Sequence, residues 1–325
     1  MNILVTGSAG FIGFHLSNKL ISLGHNVTGC DSINSYYDTK LKYDRIKILK
    51  NSNSKGKFKF HKMDLSNKTL FSKYLNNKKF DLICHMAAQA GVRYSFQNPD
   101  SYIKNNILAF QNLIDFSKDK GISKIIFAST SSIYGSQKKT PFKETFSTDT
   151  PKQFYAITKK TNELMASLYA NEYKIEIIGL RFFTVYGPWG RPDMAIFKFV
   201  KNILSNKPID VFNYGNMKRD FTYIDDIIDA CICVIDKKTK LSLNNYFSIF
   251  NIGKGSPTKL LKLISTIENQ LKIKAKKKLL PISQGDMAIT FCDTTKFYNK
   301  YKFKSKIGIE EGISNFINWY LSYYK

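Results

Sequence analysis

Asn2-Ile3-Leu4-Val5-Thr6 runs without a break into Gly7-Ser8-Ala9-Gly10-Phe11-Ile12-Gly13, and the reading of these residues decides the fold. The first five read as a strand buried on both faces. Three glycines follow, and apolar residues then recur at helical spacing from Phe11 to Leu23. A glycine turn between strand and helix lets the backbone approach a pyrophosphate, which the helix N-terminus then stabilises. The spacing is G-x-x-G-x-x-G, not the G-x-G-x-x-G of the dinucleotide fingerprint, so the turn alone leaves a plain glycine-rich connection open.

Working outward, the same alternation continues. Strands are expected at Asn26 to Cys30, Lys57 to Met63, Asp81 to Ala87, Lys124 to Ser129 and Glu176 to Phe182. Helical periodicity lies between them, over Ile103 to Lys118 and Gln153 to Tyr173. Buried strands alternating with helices predict an α/β fold with a doubly wound parallel sheet. Asn34 to Lys55, polar and lysine-rich, reads as a short helix and a loop. The rhythm loosens at Gly187-Pro188-Trp189-Gly190-Arg191-Pro192, and the remainder reads as a smaller mixed α/β domain. The expected division is 1–181 and 182–325, the second part discontinuous, with roughly 217–252 returning to the first.

A chain of 325 residues admits about two domains with full cores. With 43% hydrophobic and 23% charged residues it is neither disordered nor collagen-like nor a coiled coil. No apolar run approaches the roughly 18 residues of a membrane span. The N-terminus carries no signal-peptide pattern. Five cysteines, with no Cys-x-x-Cys pair, argue against a disulfide framework or a zinc site, so the cytoplasm is the expected compartment. The formal charge of +25 raises the question of nucleic acid. Arginine stands only at 45, 93, 181, 191 and 219, so 45 of the 50 basic residues are lysines, and they are spread along the whole chain. That reads as a solvated lysine surface and not a nucleic-acid footprint. The densest run, Lys272 to Lys278, is expected to be an exposed linker. Where nearly every cation is lysine, an arginine is expected where planar, bidentate geometry matters.

Candidate chemistry sits at the strand ends. Asp31, about 20 residues after the glycines, is placed to accept hydrogen bonds from an adenosine ribose, which favours NAD over NADP; a turn-forming aspartate is the alternative. Asp64 repeats the pattern for the adenine side, and Ala87-Ala88 suits a backbone passing a ligand. Tyr155 and Lys159, at i and i+4, share one helix face. An ammonium near a phenol favours phenolate and makes tyrosine a usable acid or base near neutrality. Ser129-Thr130-Ser131-Ser132 ends the preceding strand, where a parallel sheet forms its ligand crevice. Cys231, Cys233 and His85 read as packing residues, and no cluster has metal-ligand spacing.

Taken together these residues resemble the extended short-chain dehydrogenase/reductase family of nucleotide-sugar enzymes, which have a Rossmann fold. The likeness rests on Gly7, Gly10, Gly13, Asp31, Asp64, His85-Met86-Ala87-Ala88-Gln89, Thr130, Tyr155 and Lys159. It extends through Arg181-Phe182-Phe183-Thr184-Val185-Tyr186-Gly187-Pro188 and Arg219-Asp220-Phe221-Thr222-Tyr223-Ile224-Asp225-Asp226, covering nearly the whole chain. Gln89 to Ser95 and Tyr186 to Ala195 look most like the UDP-glucuronate 4-epimerases. The resemblance implies a tightly held, recycled NAD, with Phe11, Ile12, Leu65, Ala87, Ala88 and Asn105 joining the glycines and aspartates around it. It implies that Tyr155 removes the proton of the sugar 4-hydroxyl as hydride leaves C4, that Lys159 keeps Tyr155 acidic and holds the nicotinamide ribose, and that Thr130 bonds the 4-oxygen. The 4-keto sugar would then turn over and take hydride back on its other face, giving UDP-galacturonate as a precursor for surface polysaccharide.

Oxidised glucuronate is a β-keto acid that readily loses CO2, so its carboxylate needs firm holding. Arg191 is expected to do this as a bidentate pair, with Thr184 adding a hydroxyl, and a loop-capping arginine is the plain alternative. Ser131 and Ser132 join the sugar contacts, Arg219 and Arg93 the diphosphate, and Asp286 the uridine ribose; Gln284 stands where the family often has proline. Ser131-Ser132 in place of Asp-Glu argues against a 4,6-dehydratase. A UDP-glucuronate decarboxylase and a neutral UDP-sugar 4-epimerase remain alternatives, as does, from another class, a non-catalytic relative that binds RNA or senses redox state. The broad apolar faces of Ser101 to Lys118 and Gln153 to Tyr173 imply a homodimer, by resemblance only.

Overall fold

The computed structural model describes residues 1–237, 246–283 and 285–325. Gln284 and part of the stretch expected to return to the first domain lie outside them. The chain divides into two compact units: 1–135, 148–181 and 235–250 form the first, and 136–147, 182–234 and 251–325 the second.

The first unit is built on a seven-stranded sheet. Its strands are β1 (Asn2–Thr6), β2 (Asn26–Asp31), β3 (Phe58–Lys62), β4 (Leu82–His85), β5 (Lys124–Thr130), β6 (Glu176–Phe182) and the strand Phe247–Ile252, whose tip enters the second unit. Their order is Phe247–Ile252, β6, β5, β4, β1, β2, β3. The β1–β2, β1–β4, β2–β3 and β4–β5 pairs are all parallel. Chain order reverses between β1 and β4, the switch point outside whose carboxyl ends doubly wound sheets bind ligands. Ile3, Leu4, Val5, Ile83, Cys84 and Ile125 to Phe127 are wholly buried, the physical reason these strands read as continuous apolar runs.

The insertion after Asn34 holds the helix expected there, over Thr39–Lys50. Three expectations are corrected. β4 ends at His85, so Ala87 and Ala88 lie in the following loop. The stretch expected as one helix over Ile103 to Lys118 is a π-helical segment, Ile103–Leu108, followed by the α-helix Ala109–Asp119. The lysine-rich run is not a linker throughout: Lys277–Leu280 is a strand paired in parallel with Ile209–Phe212. There Lys277 Nζ bonds Glu268 Oε1 at 2.6 Å.

The second unit keeps 217–234, which had been expected to return to the first. The reason is pairing: Phe221–Tyr223 runs parallel to Thr184–Tyr186, and Lys218–Arg219 lies between Thr258–Lys259 and Ile289–Thr290. Residues 136–147 join it as well, through bonds such as Asn251 Nδ2 to the Phe142 carbonyl (2.8 Å). Asp220 is its polar hub. Wholly buried, its carboxylate accepts from the backbone N–H groups of Lys254 (2.8 Å), Gly255 (3.0 Å) and Cys292 (3.2 Å).

Candidate active site

The glycine turn shapes a cradle made of backbone. Gly7 has φ +70° and donates its N–H to the Cys30 carbonyl at 2.8 Å, while Gly10 caps the helix Phe11–Ser22 and donates to the Gly7 carbonyl at 2.8 Å. A Cβ on Gly7 would lie 2.6 Å from the Ala87 nitrogen, and one on Gly13 only 2.1 Å from the Gly7 oxygen. Both obstacles are backbone, so no side chain fits at either position. Phe11 is buried beneath the turn and Ile12 half-buried. Asp31, ending β2, accepts from Ala9 N (3.2 Å) and Ile33 N (2.8 Å). Burial pushes its carboxyl above the ordinary range, against those two bonds and the charges of Lys42 and Arg45. At Asp64 burial also works upward, but the Ser66 hydroxyl (2.7 Å) and Lys104 (2.9 Å) outweigh it and hold the carboxyl low. Leu65 is buried, and Ala87 and Ala88 are half-buried. Asn105 turns its amide back to the Ser101 carbonyl at 2.7 Å.

Tyr155 and Lys159 stand in the first turns of the long helix Phe154–Tyr173. The half-buried Tyr155 ring meets Tyr102 edge-on, with centroids 6.1 Å apart. The Tyr155 carbonyl accepts from Thr158 Oγ1 at 2.8 Å. Lys159 is 1% exposed, and its Nζ has no hydrogen-bond partner among the described residues. Burial lowers the ammonium to about 8, with Glu163 pulling the other way. Thr130 closes β5 and caps the 3-10 turn Ser131–Tyr134, its Oγ1 accepting from Ser132 N at 3.2 Å. Ser131 and Ser132 are half-buried in that turn. His85, ending β4 beside Thr6, exchanges a 2.8 Å bond with the Thr6 hydroxyl. Burial and the nearby Lys159 hold its imidazole down to about 3, so it is neutral.

A dinucleotide fits these residues. The cradle closes on backbone, a carboxylate ends β2, and a buried ammonium lacks a partner that ribose hydroxyls would supply. An unsatisfied buried charge is costly, so its presence at the carboxyl end of a parallel sheet points to a ligand.

The second unit holds Thr184, Arg191, Arg219 and Asp286. Thr184 is half-buried, its N–H donating to the Asp220 carbonyl at 3.1 Å. Arg191 forms a fork with Asp193, Nε to Oδ1 at 3.0 Å and Nη2 to Oδ2 at 2.5 Å. Burial would raise the Asp193 carboxyl, yet Arg191 holds it below its ordinary value. Arg219 donates to the Lys218 and Ala288 carbonyls at 3.0 and 3.2 Å. Burial lowers its guanidinium, with Asp286 opposing, so the structure brings these two residues together. Arg93, in the first unit, is exposed. Among the described residues no group of three or more His, Cys, Asp or Glu could hold a metal ion. No helix among them is long and apolar enough to cross a membrane.

Two features escaped sequence reasoning. Asn106, not its neighbour, is the buried amide of the π-helical segment. It accepts from Gln89 N (2.8 Å) and donates to the Gln89 carbonyl (3.0 Å) and Thr158 Oγ1 (3.0 Å), joining the loop after β4 to the helix of Tyr155. Glu163 and Arg181 form a buried ion pair behind Thr130. Arg181 carried a signal as a rare arginine; Asn106 carried none.

The family model described as NAD dependent epimerase/dehydratase matches residues 3–253. The chain is 43% identical to Protein CapI of Staphylococcus aureus, over the whole of both chains. It is 42% identical to UDP-glucuronate 4-epimerase 5 of Arabidopsis thaliana, over all of this chain and 76% of that protein. In structure it is similar to the UDP-glucuronic acid 4-epimerase of Bacillus cereus, solved in complex with UDP-glucuronic acid and NAD. The TM-score is 0.89, with 31% identity and full coverage of both chains.

Proposed function

The chain belongs to the NAD dependent epimerase/dehydratase family, and from that premise we propose that it interconverts UDP-glucuronate and UDP-galacturonate by inverting C4. The observation that carries the chemistry is the buried, unpartnered Lys159 ammonium one helical turn from Tyr155. The acidic sugar rests on similarity over the whole of this chain to proteins named for that activity.

Gly7, Gly10, Gly13, Asp31, Asp64 and Lys159 would hold NAD, which when bound supplies a reversible two-electron acceptor for the C4 hydrogen. Tyr155 takes the proton of the 4-hydroxyl, and the charge of Lys159 stabilises the resulting phenolate. Thr130 donates a hydrogen bond to the 4-oxygen. After the 4-keto sugar turns over, the same phenol returns the proton to O4 on the inverted centre, so no net oxidation occurs. Arg191 is the candidate cation for the sugar carboxylate, which would take over the fork now made with Asp193. Thr184, Ser131 and Ser132 would add hydroxyls, Arg219 and Arg93 would serve the diphosphate, and Asp286 the uridine ribose. The product is an activated acidic sugar, suited to cytoplasmic synthesis of surface polysaccharide.

Incubating purified protein with UDP-glucuronate and no added cofactor, and following the sugar proton spectrum, tests the reading. Signals of UDP-galacturonate are expected, with Arg191→Leu losing at least tenfold in rate, about the 1.4 kcal/mol of a charged hydrogen bond. Pentose signals would instead make it a decarboxylase.

The long helix also suggests assembly. Ile157, Leu164 (60% exposed) and Leu168 (65% exposed) leave an apolar ridge on its outer side, and Ile103 and Leu108 are exposed on the neighbouring segment. A second copy of this chain would cover such a ridge. Leu164→Glu combined with Leu168→Glu is expected to turn a dimer into a monomer in light scattering; an unaltered mass would reject the interface.

A further inference from the structure

One turn beyond Lys159 on the same helix lies Glu163, and its carboxylate is almost wholly buried against Arg181 of β6. Arg181 Nε donates to Oε1 at 2.9 Å and Nη2 to Oε2 at 2.8 Å, a parallel fork, while Ser129 Oγ donates to Oε1 at 2.6 Å. The guanidinium continues outward: Nη1 donates to the Tyr134 hydroxyl at 2.9 Å and the group lies 5.0 Å over the Tyr134 ring. Ser129 and Tyr134 are the two ends of the turn that carries Thr130, Ser131 and Ser132. One ion pair therefore grips both ends of that turn and fastens them to the helix of Tyr155 and Lys159.

Burying two charges is not by itself a gain in stability, because desolvation offsets their attraction and apolar residues of similar volume often serve as well. What apolar residues would not supply is a directional grip and a negative charge. Two titratable groups act on Lys159 through charge: Glu163, one turn further along its own helix, and the neutral His85 at the end of β4. Glu163 is the one whose charge supports the Lys159 proton against burial.

We propose that the Glu163–Arg181 pair is a positioning device for the reaction: it sets the Thr130 turn against the Tyr155 helix, with its carboxylate one helical turn from Lys159. The proposal rests on the roles given above to Thr130, Tyr155 and Lys159. Its test is the pH profile of kcat for UDP-glucuronate in the wild type, in Glu163→Gln, and in the double variant Glu163→Gln with Arg181→Met. Glu163→Gln leaves the Arg181 guanidinium buried without its carboxylate, whereas the double variant removes both charges. The alkaline limb is therefore expected at the highest pH in the wild type, lower in the double variant, and lowest in Glu163→Gln, about one unit below the wild type. At the optimum, kcat is expected to fall at least tenfold in both variants, as misplacement of a reacting group does, with KM within about threefold. If the limbs coincide and the double variant turns over within about twofold of the wild type, the pair is structural only and the proposal is overturned. Should Glu163→Gln fail to fold, the double variant alone decides, because its limb must still lie below that of the wild type. A wild type that does not epimerise UDP-glucuronate would instead reject the functional reading itself.

Discussion

Tyr155→Phe is expected to lower turnover by about a thousandfold while leaving NAD in place, because positioned acid–base groups are worth roughly 10² to 10⁴ in rate. The substitution removes one oxygen and keeps the ring that meets Tyr102 at 6.1 Å. The anchoring bond from Thr158 goes to the Tyr155 carbonyl, which phenylalanine also has. Folding and the cradle should therefore be untouched. The check is kcat together with the cofactor content of the purified variant. A loss below tenfold would take Tyr155 out of the proton transfer.

Lys159→Met should separate stability from activity. The ordinary lysine value is near 10.5, and burial brings Lys159 down to about 8 in the folded chain. Below pH 8 the unfolded chain and the folded chain both hold the proton, and the folded chain bears the full cost of burying it. Between pH 8 and 10.5 the folded chain has released its proton and the unfolded chain has not, so the penalty fades as pH rises. A difference of that size corresponds to about 3 kcal/mol. With NAD removed, the methionine variant is accordingly expected to be more stable than the wild type at pH 7 by up to that amount. The gap should close toward pH 10.5, while turnover falls by about a hundredfold or more. Denaturant unfolding at pH 7 and pH 10 reads the difference. A variant less stable at pH 7 would mean that Lys159 has a partner in the folded chain.

The sheet was legible because its central strands are buried along most of their length, so apolar residues dominate them. β1 and β6 fall at the residues the pattern indicates, and β2 and β5 run one residue longer. The helix Thr39–Lys50 was legible only as a short helix without bounds, because its inward face mixes Lys42 and Arg45 with apolar residues. Arg45 is wholly buried and donates to the Ala9 carbonyl at 2.7 Å, and the Lys42 ammonium bonds the Asn34 carbonyl at 2.6 Å. A periodicity built on apolar residues does not register such a face. Asn105 was named by resemblance alone, and the buried amide of the π-helical segment Ile103–Leu108 is its neighbour Asn106, which no pattern indicated. Arginine scarcity pointed to forked geometry, and forks do occur at Arg181 and Arg191. In both, the carboxylate belongs to the chain itself, Glu163 in one and Asp193 in the other. Which carboxylate an arginine meets depends on tertiary placement that spacing does not encode.

The long helix Phe154–Tyr173 carries Tyr155, Lys159 and Glu163 along one stripe and Ile157, Leu164 and Leu168 along another. Each residue added or removed turns everything beyond it by about 100°. A single insertion between Lys159 and Glu163 would swing the carboxylate off Arg181 and carry Leu164 and Leu168 out of line with Ile157 in the same stroke. This helix behaves like a camshaft, whose lobes are timed to one another and tolerate replacement but not re-phasing.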